Sequence, residues 1–181
     1  MEENPKPRIA VTGVDPEVLP PSIVDTNIAF IDLLRSAKNK ILIMGYRFTE
    51  HGKDDFIKNI EELLGKGKRV WLLTDHVFGQ EKHLKEFFIR LLSKHSNLFR
   101  LWTFEDEEKT IMHIKSIVID SERMYLGSAN FSRRGITENI ELGTVMYDSE
   151  AIKTVKAVFT WLTTEDDRVT EVTVRELRTH D

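Results

Sequence analysis

The side chains best suited to chemistry in this chain lie close together in sequence. His113 and Lys115 are two positions apart in an apolar run, Ile111–Ile119, that is typical of a β-strand, so they should project from the same face. A second predicted strand follows and leads to a turn that presents the hydroxyl of Ser128 and the amide of Asn130. A base, a fixed cation and two hydrogen-bonding groups brought together would suit chemistry at a phosphoryl centre.

The elements that must position these side chains alternate between amphipathic helices and short apolar strands. Such alternation predicts an α/β fold in which a mixed β-sheet is flanked by helices within a single domain. The apolar run that begins at Lys40 indicates a strand buried on both faces. The predicted helices cover about 26–37, 53–64, 80–95 and 149–162, and the predicted strands cover 8–13, 40–46, 70–74, 98–104, 111–119, 123–127 and 140–147.

The two ends of the chain differ in composition from its middle. All five prolines lie near the amino terminus, so residues 1–22 are predicted to form a proline-rich arm. Residues 23–164 are predicted to form the catalytic domain. Residues 165–181 are predicted to form a charged C-terminal tail, in which the alternating segment Val169–Val174 could add an edge strand.

Composition excludes several kinds of protein. The chain has 181 residues, enough to bury a core without a disulfide or metal, and it has no cysteine for a zinc–thiolate site or a cysteine nucleophile. No apolar run approaches the roughly 18–20 residues of a membrane span, and no signal-peptide pattern is present, so we expect a cytoplasmic protein. The net charge of −4 indicates that nucleic acid, if bound, would be held by a small local basic site.

The spacing of the polar residues resembles a known motif. The pattern His113-x-Lys115-x4-Asp120-x6-Gly127-Ser128-x-Asn130 is similar to the HKD signature of the phospholipase D superfamily. Downstream, Asn139-x-Glu141 resembles the Asn-x-Glu that heads the next strand in small bacterial nucleases of this superfamily. The resemblance covers roughly residues 23–162 and implies a phospholipase D-like fold.

The resemblance implies a role for each matched side chain. His113 would be the nucleophile that attacks phosphorus and forms a phosphohistidine. Lys115 and Asn130 would hold the non-bridging oxygens, and Ser128 would help to fix them. Glu141 would sit behind an imidazole, orient it and stabilise its charged form.

Two further matched residues would act less directly. Asp120 would be mainly a structural hydrogen-bonding residue, and Gly127 would permit close approach of the backbone. Because the chemistry of the superfamily needs neither a metal nor another cofactor, the resemblance implies none.

Superfamily members use two His-Lys-Asn sets, whereas this chain has one. Of its six histidines, only His113 has a lysine two residues later and a Gly-Ser-x-Asn downstream; the others are His51, His76, His83, His95 and His180. The second set must then come from another chain, which predicts a two-fold homodimer. The two imidazoles would titrate in two steps, which predicts a bell-shaped dependence of rate on pH.

Two charged segments near the motif have alternative interpretations. Ser132, Arg133 and Arg134 could be a solvated loop or a phosphate clamp at the mouth of the groove. The acidic run Glu105–Glu108 is typical of a solvated loop, but at the border of a groove it would repel a polyanion.

The resemblance favours a metal-independent phosphodiesterase that cleaves DNA or RNA. One alternative is a phospholipid-cleaving enzyme, although no basic amphipathic helix is evident. A second is a non-catalytic binding module of a larger complex. A helicase or a defence system would be the expected partner.

Overall fold

The computed structural model describes residues 5–48, 55–108 and 110–179. These residues form nine β-strands and five α-helices. The strands are β1 Arg8–Thr12, β2 Val24–Asp25, β3 Lys40–Gly45, β4 Arg69–Asp75, β5 Phe99–Phe104, β6 Lys115–Ile119, β7 Arg123–Gly127, β8 Glu141–Met146 and β9 Val169–Glu171. The helices are α1 Thr26–Arg35, α2 Asp55–Gly65, α3 Lys82–Lys94, α4 Ser149–Thr164 and α5 Val174–Thr179.

All nine strands join one mixed sheet in the order β2-β1-β8-β7-β6-β3-β4-β5-β9. β3, β4 and β5 run parallel, because helices connect them, whereas β6, β7 and β8 form an antiparallel meander beside β3. The prediction of a mixed sheet flanked by helices is therefore confirmed. The carboxyl ends of β3, β4 and β5 lie at the same edge as the start of β6.

Helices cover both faces of the sheet. One core includes buried side chains of α1, α2, α3 and α5, among them Phe30, Phe56, Phe88 and Leu177. The other core lies under α4 and includes Trp102, Met124, Phe159 and Leu162. Alternate residues of β3 enter opposite cores, as the strand buried on both faces requires.

The two terminal segments are part of this sheet. β1 lies between β2 and β8, and its Ala10 is completely buried. β9 pairs with β5 at the other edge, and Leu177 of α5 is completely buried in the core. Residues 1–22 and 165–181 differ from the rest of the chain in composition. Their described parts nevertheless pack with residues 23–164 in one folded body. The predicted helix start at Lys53 lies outside the described residues.

The strand that carries the motif is shorter than predicted. β6 begins at Lys115, and residues 110–114 have no regular secondary structure. Lys115 faces Gly45, the last residue of β3, so the sheet offers no further partner along that strand. The backbone N–H of Met112 instead donates to the carboxylate of Asp75 (2.8 Å). His113 therefore lies in a loop at the edge of the sheet.

Candidate active site

His113 and Lys115 meet at the ring of Tyr46 rather than by strand alternation. The exposed imidazole of His113 packs edge-on against Tyr46, with ring centroids 4.7 Å apart. The ammonium of Lys115 lies 5.4 Å from the centroid of the same ring and donates to the carbonyl of His113 (3.1 Å). Tyr46 directly follows β3, so the end of that strand sets the position of both groups.

Lys115 is a buried cation at the base of the site, with 3% of its surface exposed. Burial lowers the pKa of its ammonium, and attraction to Glu141 opposes that effect. A cation that is only partly hydrated interacts strongly with a neighbouring anion. Lys115 is therefore suited to hold a phosphoryl oxygen.

Ser128 and Glu141 form a hydrogen-bonded pair across the neighbouring strand ends. The Ser128 hydroxyl donates to the Glu141 carboxylate (2.5 Å) and accepts from the backbone N–H of Leu142 (3.1 Å). The amide of Asn139 donates to the other carboxylate oxygen (3.1 Å). In the described part of the chain, Glu141 is thus bonded to Ser128 and Asn139 and not to His113.

Asn130 carries an unused hydrogen-bonding atom at the site. Its Oδ1 is buried and has no hydrogen-bond partner within the described residues, which is uncommon for a buried amide. Gly135 packs directly on its backbone, since a Cβ at that position would lie 2.4 Å from the Asn130 carbonyl oxygen. The absence of a side chain at Gly135 therefore lets the helical turn Arg134–Glu138 pack closely against the backbone of Asn130 and fix its position.

The space above Gly127 is filled by the protein itself. A Cβ at Gly127 would lie 2.3 Å from the hydroxyl of Tyr125, and one at Gly143, its partner on β8, would lie 2.4 Å from the same ring. Burial raises the pKa of the Tyr125 phenol to about 12, so it is neutral at physiological pH. The structure accordingly assigns Gly127 to accommodating Tyr125.

Asp120 lies at the opposite end of β6 from Lys115. Its carboxylate accepts the backbone N–H groups of Lys38 (2.5 Å), Asn39 (2.8 Å) and Lys40 (2.7 Å). Partial burial acts to raise the pKa of Asp120, but these three hydrogen bonds outweigh it and the pKa is lowered. Asp120 fastens the turn after β6 to the start of β3, at the end of β6 that is remote from Lys115.

The arginines that follow the motif border a cleft of about 470 Å³, which Asn130, Ser132, Arg133, Arg134 and Arg47 help to line. Both arginines turn towards Glu138, with Nε to carboxylate distances of 2.9 Å for Arg133 and 3.8 Å for Arg134. Both side chains remain well exposed, and exposed ion pairs of this kind are weak. The Ser132 hydroxyl accepts from the Gly135 N–H (3.2 Å) and stabilises the turn.

Asp75 and His76, which no sequence pattern singled out, border the site. The almost completely buried Asp75 contacts His76 Nδ1 (2.7 Å) and also holds the loop residue next to His113. His76, Tyr46 and Arg47 help to line a second cavity of about 410 Å³. Their position in the sequence, at the end of a predicted parallel strand, could have indicated this, because polar residues at the carboxyl ends of parallel strands gather on one side of a sheet.

Two residues of the acidic run Glu105–Glu108 form contacts with other side chains of the fold. Glu105 accepts from the hydroxyl of Thr103 (2.7 Å) and lies 3.9 Å from His76 Nε2. Asp106 lies 3.5 Å from the guanidinium of Arg168. The first half of the run therefore supports the loop before His113, whereas Glu107 and Glu108 are exposed.

Comparison with known proteins identifies the family. Residues 30–163 match the family described as cardiolipin synthase, PLD-like domain. The chain belongs to the phospholipase D-like family. This finding confirms the resemblance drawn from the HKD spacing and covers every residue of the motif.

Relatives of this phospholipase D-like chain carry different names. It is 31% identical over 128 residues to the DISARM protein DrmC of Bacillus paralicheniformis, covering 70% of this chain and 51% of that protein. It is 24% identical over 139 residues to the 5'-3' exonuclease PLD3 of Homo sapiens, covering 70% and 28%. The chain thus spans about half of DrmC and less of PLD3.

A solved structure shares the fold along nearly its whole length. The phospholipase D family member Nuc from Salmonella typhimurium superposes with a TM-score of 0.69 at 20% identity, covering 92% of this chain and 99% of that one. Within the described ranges, no helix is long and apolar enough to cross a membrane. The same residues contain no group of three or more acidic or histidine side chains arranged to hold a metal ion.

Proposed function

We propose that this phospholipase D-like chain is a phosphodiester hydrolase that cleaves nucleic acid without a metal ion. The observation that carries the proposal is the exposed imidazole of His113 and the buried ammonium of Lys115 at the ring of Tyr46. Asn130 lines the neighbouring cleft together with Arg47, the residue after Tyr46. A nucleophile next to a fixed cation and an amide is what displacement at phosphorus requires.

The reaction begins with attack of a ring nitrogen of His113 on phosphorus. The new N–P bond forms as the P–O bond to the leaving alkoxide breaks, while Lys115 and the Nδ2 amide of Asn130 hold the non-bridging oxygens. A second imidazole protonates the leaving oxygen. It then takes a proton from water, which attacks phosphorus and releases His113. Over the two steps the leaving oxygen gains one proton and water loses one, and no metal ion takes part.

The second imidazole comes from a second copy of the chain. This part rests on the single motif in the sequence and on the exposed position of His113 just before β6, where another molecule has access. The carboxylate of Glu141 lies within electrostatic reach of Lys115 and favours its protonated form. The same negative charge would stabilise an imidazolium in the paired site.

Nucleic acid is favoured as substrate by the arginine-lined cleft beside Asn130 and by the name of the exonuclease relative. Arg47, Arg133 and Arg134 outnumber the two carboxylates among the described residues of this cleft, Glu81 and Glu138, and so give an acidic chain a local positive charge that can hold a polyanion. A helicase or a defence system as partner is also part of this proposal and rests on the resemblance. Cardiolipin, which the family description names, is the second candidate substrate.

The test is a cleavage panel with chelator present throughout. Single- and double-stranded DNA and RNA, a chromogenic phosphodiester and cardiolipin vesicles are each incubated with the wild type and with His113→Ala. We expect cleavage of a nucleic acid and of the chromogenic diester, and its loss in His113→Ala but not in His95→Ala, whose imidazole lies at the carboxyl end of α3. Cleavage of cardiolipin alone would overturn the nuclease assignment, and inactivity on every diester would overturn the enzyme itself.

A further inference from the structure

A cluster of cations lies at the end of the sheet remote from His113. Lys40 begins β3 and faces Arg69 at the start of β4, whereas Lys115 faces Gly45 at the other end of β3. Lys40, Arg69 and Lys156 of α4 line a cavity of about 240 Å³. The five residue steps of β3 separate this cavity from the catalytic end by about 17 Å.

Among the described residues, the cations of this cluster form no ion pair with the one carboxylate that lines the cavity. Asp120, the one acidic residue among the described residues that line it, accepts three backbone N–H groups instead. Lys156 donates to the neutral hydroxyl of Ser121 (2.6 Å). The ammonium of Lys40 lies over the ring of Trp71, 2.9 Å from its centroid.

The arrangement is unfavourable for the protein on its own. Burial and the nearby charges of Arg69, Lys156 and Arg100 lower the pKa of Lys40 to about 8. A neutral or acidic side chain at any of these positions would relieve the repulsion. Like-charged residues that line one cavity and oppose stability are typical of a site that is completed by a ligand.

We propose that this cluster, formed by Lys40, Arg69 and Lys156, binds a phosphate group and acts as a secondary site for the backbone of the nucleic-acid substrate. This source of the phosphate rests on the proposed function. One strand of a duplex carries a phosphate about every 3.4 Å along the axis, so a distance of about 17 Å corresponds to roughly five nucleotides. Because helices cover both faces of the sheet, a strand has to pass around them, so only substrates well longer than about five nucleotides would contact both ends.

The binding test uses inorganic pyrophosphate and does not depend on catalysis. Because Lys40 lies over Trp71, we expect pyrophosphate to change tryptophan fluorescence, and Trp71→Phe to remove most of the change. Lys40→Gln and Lys156→Gln should each weaken binding about 5- to 10-fold, in line with the loss of one charge-assisted contact. Lys153→Gln removes an exposed charge from the same helix and should leave binding unchanged. Unchanged affinity in both cluster variants, or loss only in Lys115→Gln, would overturn the site.

The substrate test compares a short with a long oligonucleotide in the same variants. Lys156→Gln should raise the KM for a strand of about 15 nucleotides about 5-fold or more, leave kcat unchanged and leave the cleavage of a strand of about three nucleotides unaffected. Pyrophosphate binding without any effect of length would show a site for free phosphate and would overturn its use by nucleic acid. Pyrophosphate binding in a protein that cleaves no nucleic acid would overturn the proposed function and leave the phosphate site standing. Thermal unfolding of each variant verifies that it is folded.

Discussion

Lys40 at the start of β3 and Lys115 beside its other end both have a pKa that burial lowers, but their surroundings differ. Lys115 faces Gly45 at one end and has the carboxylate of Glu141 within electrostatic reach. Lys40, at the other end, is surrounded by cations and by the ring of Trp71. Lys115 thus has an anionic neighbour, as the proposed active site requires, whereas Lys40 has cationic neighbours, as the proposed phosphate site requires.

Removing the charge at the catalytic end is expected to have the largest effect. In Lys115→Met the non-bridging oxygens lose their fixed cation, and we expect kcat on the chromogenic diester to fall about 100- to 1,000-fold. Lys40→Met should leave this kcat unchanged, because the small diester does not reach the other end of the sheet. An equal fall of kcat in Lys115→Met and Lys40→Met would contradict the different roles of the two ends of β3.

Displacing Asn130 is expected to have the next largest effect. A Cβ at Gly135 would push against the Asn130 carbonyl, so Gly135→Ala should lower kcat about 10- to 100-fold by misplacing the amide. Gly65→Ala is the matched control, because a Cβ there meets nothing within 4 Å. The steady-state rate constants of the two variants decide the matter, and an unaffected Gly135→Ala enzyme would refute the positioning of Asn130 by this turn.

Asp120 should affect stability and leave the chemistry intact. Asp120→Asn weakens three hydrogen bonds to backbone N–H groups, and we expect the free energy of unfolding to fall by about 2 kcal/mol. Because its folded pKa is lowered, the stabilisation is present above the ordinary pKa of 3.8 and is lost as the pH falls through the folded value. Urea unfolding at pH 7 and pH 3 measures both effects. A variant as stable as the wild type at pH 7 would contradict this role.

Lys40 should show the smallest effect, with the opposite sign. Its protonated form opposes folding at pH values below about 8, and the opposition is relieved as the pH rises from there towards the ordinary lysine pKa of 10.5. Lys40→Met should therefore raise the Tm by a few degrees at pH 7, and the difference should shrink by pH 10. A lower Tm in the variant at pH 7 would show that the contact with Trp71 outweighs the repulsion.

Much of the fold is predictable because the buried residues of helices and strands recur as apolar positions with a regular spacing in the sequence. The strands β3, β4 and β5 are apolar runs, and the helices between them carry regularly spaced apolar residues. β6 was predicted four residues too long, since Ile111 and Met112 look like strand residues. The side chain of Asp75, which takes the N–H of Met112, is distant in sequence and leaves no periodic trace.

The HKD-like motif is recognisable from its spacing, but the residues that pack against it are not. Tyr46 and His76 belong to no motif, and they reach the site because their parallel strands end at the same edge. The expectation that Glu141 orients an imidazole was drawn from resemblance, whereas in the single chain its partners are Ser128 and Asn139. Contacts between distant strand ends depend on sheet order, which local patterns do not encode.

Subunit mixing tests the central claim most directly, namely that one active site needs His113 from two chains. Wild type and His113→Ala are mixed in equal amounts, allowed to exchange, and assayed at fixed total concentration. If a site needs both imidazoles, only pairs of intact chains work, and the activity should be about a quarter of that of the wild type alone. An activity of about half would mean that each chain works independently, which would contradict the account.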